Sequence, residues 1–145
     1  MNNNKTISCF TVSFRKGFVS PNIPLATFYQ GDKELIFLLD SGSENNVTNK
    51  KALEHIKHTM LDSGEATHQL SGVGGTEEVQ NCTITFSCGD EEYTTNFLVS
   101  SSLEEAFEMI RKEHGITING IIGSSFLREH NVVMDFKTLS AYTKK

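Results

Sequence analysis

A chain of 145 residues suffices for one domain with a sizeable core, and an apolar share of 37% separates it from disordered polymers. A net charge of -5, with basic residues no denser than the pairs Lys50-Lys51 and Lys144-Lys145, argues against nucleic-acid and anionic-membrane partners. Met1 to Lys5 run into a strand-like segment without an apolar leader core, and no apolar run approaches about 18 residues, so cytoplasmic residence and no membrane partner are expected.

Imperfect alternation from Ile7 to Phe14 predicts a first strand, followed by a connection over Phe18 to Ile23 and Pro24. Leu25 to Gln30 predicts a strand that turns at Gly31-Asp32, because glycine tolerates unusual backbone angles and aspartate hydrogen-bonds locally. Glu34 to Leu39 is the most apolar strand, and it stops abruptly at Asp40-Ser41-Gly42-Ser43. Such a strand belongs in the interior, where it supports the polar residues beyond it.

Between Asn49 and Met60 the period changes: Ala52, Leu53, Ile56 and Met60 form a helical stripe, with Thr48 or Asn49 as cap and Gly64 as a later break. Strands are expected over Ala66 to Leu70, Val79 to Phe86 and Tyr93 to Val99. Gly72-Val73-Gly74-Gly75 separates the first two as a turn or flap, and Gly89-Asp90 joins the last two as a hairpin turn. Leu103, Ala106, Phe107 and Ile110 predict a helix over Leu103 to Arg111, with Ser102 and Glu105 at capping-box spacing and Gly115 beyond its end. Ile116 to Ile122 supplies another apolar segment, interrupted at Gly123, and Val132 to Phe136 and Leu139 to Tyr142 are expected to complete the sheet. The expected class is all-β with two short helices, in one domain over residues 1–145.

Cys9, Cys82 and Cys88 are an odd set best read as free thiols; the even spacing of the last two puts both on the apolar face of a strand. His55 and His58 could share a helical face, but no third ligand is placed, so no metal is expected. Gly72 to Gly75 lacks the Lys-Ser/Thr ending of a phosphate-binding loop, and no cofactor is expected.

An aspartate closing an apolar strand can be tuned for acid–base work, although Asp-Ser-Gly also suits an ordinary turn. A second copy, Asp62-Ser63-Gly64, follows a helical pattern and reads as a helix-ending turn. The setting of Asp40 is sharper. Phe37-Leu38-Leu39-Asp40-Ser41-Gly42-Ser43 resembles the active-site signature of pepsin-like and retroviral-type aspartic proteases. Ile121-Ile122-Gly123, followed by Ser124-Ser125-Phe126-Leu127, resembles their hydrophobic-hydrophobic-Gly element and short helix, and Val132 to Phe136 their closing strand.

The resemblance, to a single retropepsin-like lobe, covers about residues 25–142 and implies a psi-shaped crossing near Asp40. It implies Asp40 as the catalytic carboxylate, Ser41 as the hydroxyl bracing the loops, Gly42 at a close approach and Ser43 as support. Gly72, Val73, Gly74 and Gly75 would form the tip of a flap, without the aromatic residue of pepsin-like enzymes. The implied reaction is peptide hydrolysis by water activated between two carboxylates, without an acyl-enzyme. One chain carries one such motif, which implies a homodimer closing over an extended peptide. The alternative is a non-catalytic relative used for dimerisation or peptide binding.

Overall fold

The computed structural model describes residues 11–19, 21–61, 68–72 and 75–143, with backbone alone for 68–72 and 75–78. Strand β1 (Thr11–Ser13) and helix α1 (Arg15–Val19) precede β2 (Leu25–Gln30) and β3 (Lys33–Asp40). The β2–β3 hairpin pairs Gln30 with Lys33 across Gly31-Asp32, and Gly31 has the positive φ of 64° that favours glycine there. Then come β4 (Val47–Thr48), α2 (Lys50–Leu53), β5 (Thr59–Met60), β6 (His68–Gly72), β7 (Gly75–Cys88) and β8 (Glu91–Val99). Helix α3 (Glu104–His114), β9 (Gly120–Gly123), α4 (Ser124–Glu129), β10 (Val132–Asp135) and β11 (Ser140–Thr143) complete the order.

The larger sheet runs β2-β3-β9-β4-β8-β7-β5, with β6 also on β7, and β2 returns to β7 at Tyr29 and Ser87, so the sheet curls towards closure. A smaller antiparallel sheet runs β1-β11-β10. Both faces of β3 are covered from Leu35 to Leu39, which is why that stretch is apolar without a break. Leu35, Phe37 and Leu39 enter the main core, while Ile36 and Leu38 pack against a second cluster containing Leu25, Val47, Phe107, Ile118 and Ile121. Phe28, Phe37, Phe86 and Phe97 are fully buried in the main core, with Phe28 and Phe86 ring centres 5.1 Å apart. Each such ring contributes roughly 1.5–3 kcal/mol through burial. Cys82, Ile84, Phe86 and Cys88 point inward from β7, as the even spacing of the two cysteines predicts, and both cysteines are free thiols. No helix of the described residues is long and apolar enough to cross a membrane.

Three expectations are corrected. Four helices are present among the described residues where two were expected; α1, at five residues, lies across the expected connection and is too short to print a helical period. The helix expected from Asn49 to Met60 stops at Leu53: the Asn49 side chain caps it, accepting from Ala52 N–H at 2.7 Å, but Thr59 and Met60 pair with Thr83 and Cys82 of β7. Leu53 and Ile56 are buried all the same, because strand pairing takes the backbone beyond them while their side chains still meet the core. Finally, Ser102 does not cap α3. Its N–H is taken by the Ser100 hydroxyl at 3.0 Å, and the helix starts after Leu103 without a side-chain cap. Of the predicted α3 stripe, Phe107 is buried and Leu103 and Ile110 pack on the second cluster, whereas Ala106 is exposed. Gly115 ends α3 in the left-handed conformation.

Candidate active site

Asp40 is the last residue of β3, beside Gly123 in the parallel pairing of β3 with β9. On its other side β9 meets β4 antiparallel, Val47 opposite Ile121. The strand Gly120–Gly123 is thus inserted between the two strands that flank the loop 41–46, which produces a psi-shaped crossing. Ile121 and Ile122 are buried in opposite clusters and lock β9 in place.

The loop itself is tied by main-chain bonds. Ser43 N–H donates to the Asp40 carbonyl at 3.1 Å, and Gly42 N–H donates to Asp40 Oδ1 at 2.9 Å. A Cβ at position 42 would sit 3.2 Å from that same oxygen. Asp40 is half-buried, Ser41 and Gly42 are exposed, and the Ser43 hydroxyl donates to the Asn45 carbonyl at 2.7 Å. Across the crossing, Ser124 N–H donates to the Ser43 carbonyl at 2.6 Å and Ser125 N–H to the Glu44 carbonyl at 3.1 Å. This approach needs glycine at 123: a Cβ there would stand 2.6 Å from the Ser43 carbonyl oxygen and closer still to that of Asn45.

Two asparagines that sequence reasoning missed hold the ends of β9. Asn46 is 7% exposed; its Oδ1 accepts from Gly123 N–H at 2.8 Å, and its Nδ2 donates to the Asn96 carbonyl at 3.0 Å and to Thr95 Oγ1 at 3.3 Å. At the other end, Asn119 Oδ1 accepts from Ile36 N–H at 2.8 Å, and the buried Thr48 hydroxyl donates to the Asn119 carbonyl at 2.8 Å. Asparagine near a glycine or serine ordinarily signals a turn, so neither residue announces a buried bridge.

Gly72 and Gly75 are the last paired residues of the β6–β7 hairpin, whereas Val73 and Gly74 lie outside the described residues, as do Asp62, Ser63 and Gly64. Among the described residues no three His, Cys, Asp or Glu side chains gather closely enough to hold a metal ion.

No protein-family model and no curated protein matches the sequence. Solved structures do. A retropepsin-like aspartic protease from Rickettsia conorii superposes with a TM-score of 0.52 at 11% identity, covering 94% of this chain and 90% of its own. The chain has a retropepsin-like fold. The retroviral protease-like domain of Ddi1 from Leishmania major also matches, with a TM-score of 0.45, 13% identity, and coverage of 91% and 85%. The retropepsin-like lobe is the all-β class read from the sequence, with β3, β9 and β4 as its psi-shaped centre.

Proposed function

We propose that the protein is an aspartic endopeptidase whose active unit is a homodimer, each copy contributing Asp40 to one water-activating pair. The observation that carries this reading is the state of the Asp40 carboxylate. It stands half-buried at the end of a strand packed on both faces from Leu35 to Leu39, with Oδ1 fixed by the Gly42 amide and no ion pair among the described residues. A carboxylate serving only a turn gains nothing from a psi-shaped crossing built around it.

Two carboxylates brought this close repel one another when both are charged, so the proposed pair holds one shared proton. The ionised member removes a proton from water as its oxygen attacks the scissile carbonyl, and the protonated member donates to the developing oxyanion, giving a neutral gem-diol. On collapse the first carboxyl passes its proton to the leaving nitrogen as the C–N bond breaks, while the second takes back a hydroxyl proton, which leaves a carboxylic acid, an amine and the starting pair. Gly42 N–H keeps one oxygen of each carboxylate oriented, leaving the other for water. The β6–β7 hairpin, whose last paired residues are Gly72 and Gly75, is the element proposed to cover an extended peptide.

The test compares Asp40→Asn and Asp62→Asn in cleavage of a degenerate quenched-peptide library. Asp40→Asn is expected to lower turnover by roughly a hundredfold or more, the scale of an essential acid–base group, while Asp62→Asn stays near wild type. Full activity in the first variant overturns the assignment. A folded wild-type dimer that cleaves nothing across a broad pH range supports the alternative of a non-catalytic, peptide-binding relative.

A further inference from the structure

We infer that Asn46 is a positioning residue for Asp40, linking the strand hairpin β7–β8 to the catalytic loop through a single side-chain amide; this rests on the reading of Asp40 as the catalytic carboxylate. Asn46 lies three residues after Ser43, buried at the entry of β4, and is hydrogen-bonded to two other strands, β8 and β9. Its Nδ2 is anchored on β8 at the Asn96 carbonyl and Thr95 Oγ1, and Leu98 N–H donates to the Asn46 carbonyl at 2.8 Å. Its Oδ1 draws in Gly123 N–H at 2.8 Å, at the end of β9 that lies beside Asp40.

The consequence is mechanical. Gly123 seats the Ser43 and Asn45 carbonyls against its bare Cα, and the next amide, Ser124 N–H, closes on the Ser43 carbonyl. Ser43 N–H in turn holds the Asp40 carbonyl. The bridge therefore runs β8, Asn46, Gly123, Ser43, Asp40, and every step but the glycine approach is a hydrogen bond. A backbone N–H at Gly123 without Asn46 would be a buried, unsatisfied donor, so the loop would shift to find it a partner. Small displacements of a reacting group cost catalysis heavily: about 1 Å can cost a hundredfold.

Three variants separate positioning from general stability. Asn46→Leu removes both ends of the bridge at similar volume. Asn46→Asp keeps an acceptor for Gly123 N–H but loses the donor to Asn96. Phe18→Ala, on α1 in a ring cluster with Phe14 and Phe136, removes core packing without touching the loop. Kinetics use one quenched peptide that the wild-type protein cleaves, at enzyme concentrations where each variant is folded and dimeric. The expected result is a kcat about tenfold to a hundredfold lower in Asn46→Leu with KM nearly unchanged, Asn46→Asp between it and wild type, and Phe18→Ala at wild-type kcat per folded chain. Amide hydrogen exchange at Gly123 and Ser124 is expected to quicken by about tenfold in Asn46→Leu and far less in Asn46→Asp.

If Asn46→Leu does not fold, Asn46→Ser, which holds a shorter acceptor, takes its place in the same comparison. Equal kcat losses in the Leu and Asp variants, or losses that follow the folded fraction, overturn the inference. A wild-type protein without turnover defeats the peptidase reading instead, and the exchange measurement still decides the bridge: unchanged protection of Gly123 and Ser124 in Asn46→Leu overturns it.

Discussion

Asp40 accepts one amide hydrogen, from Gly42, while Asp135, also the last residue of a strand, accepts two, from Thr138 at 3.2 Å and Lys137 at 2.9 Å. The two aspartates show how one residue type is put to different uses. Asp135 closes the turn between β10 and β11, and the Thr138 and Lys137 amides hold its carboxyl below the usual aspartate range. A carboxyl whose pKa is lower in the folded state stabilises the fold above its unfolded pKa of about 3.9 and loses that contribution as pH falls through the folded value. Asp135→Asn is therefore expected to be less stable than wild type near neutral pH, the gap narrowing progressively below about pH 4. Urea denaturation of both proteins over that range checks it; a gap that is constant with pH sinks the charge explanation. Asp40 was legible from sequence because a run of buried apolar residues ends on it, a signal that Asp62 lacks. Asn46 was not, since a side chain bridging β8 to β9 depends on partners 50 and 77 positions away.

The long strand β7 borders β2 near Ser87 and β5 near Thr83, leaving Thr85 between them. Gln30 fills that gap: its Nε2 donates to the Thr85 carbonyl at 3.0 Å and the Lys57 carbonyl at 2.9 Å, while its Oε1 accepts from Lys57 N–H at 2.9 Å. A side-chain amide thereby does the pairing of a missing strand residue and joins two sheet edges. Gln30→Ala is expected to cost about 1 kcal/mol, because water replaces the bonds on the exposed side. Urea denaturation should show a lower midpoint with an unchanged slope; a midpoint equal to wild type rejects the bridging role. β3 and β7 were readable because β3 is an unbroken apolar run that ends in a turn, and the even spacing of Cys82 and Cys88 marks the inward face of β7. The segment after Leu53 was not: burial of Leu53 and Ile56 fits a helix and a turn equally, and β5 is defined only by its pairing with β7. Nor does the Ser102-x-x-Glu105 spacing cap α3, since Ser100 lies close enough to claim the Ser102 amide first.

At the scale of the molecule, the proposed mechanism turns on whether two copies share one site. A lobe offering one Asp40 supplies half of an acid–base pair, so catalysis should be absent from the monomer. Specific activity is then expected to rise with protein concentration across the dissociation range and to level off once pairs saturate. Mixing sharpens the distinction between a shared site and an enzyme that merely happens to dimerise. When equal amounts of wild-type and Asp40→Asn chains exchange freely, random pairing places about half of the wild-type chains opposite a variant. Those mixed pairs have one ionisable carboxyl where two are required, and their turnover should fall to that of the variant. Activity per wild-type chain is therefore expected to drop to about half, and to fall further in proportion as the variant is added in excess. The measurement is peptide turnover over a mixing series at fixed total protein, with native mass spectrometry of the mixture to establish that chains have exchanged. Activity per wild-type chain that stays constant while mixed dimers are present would show that each Asp40 works alone, and the paired-carboxylate mechanism would have to be abandoned.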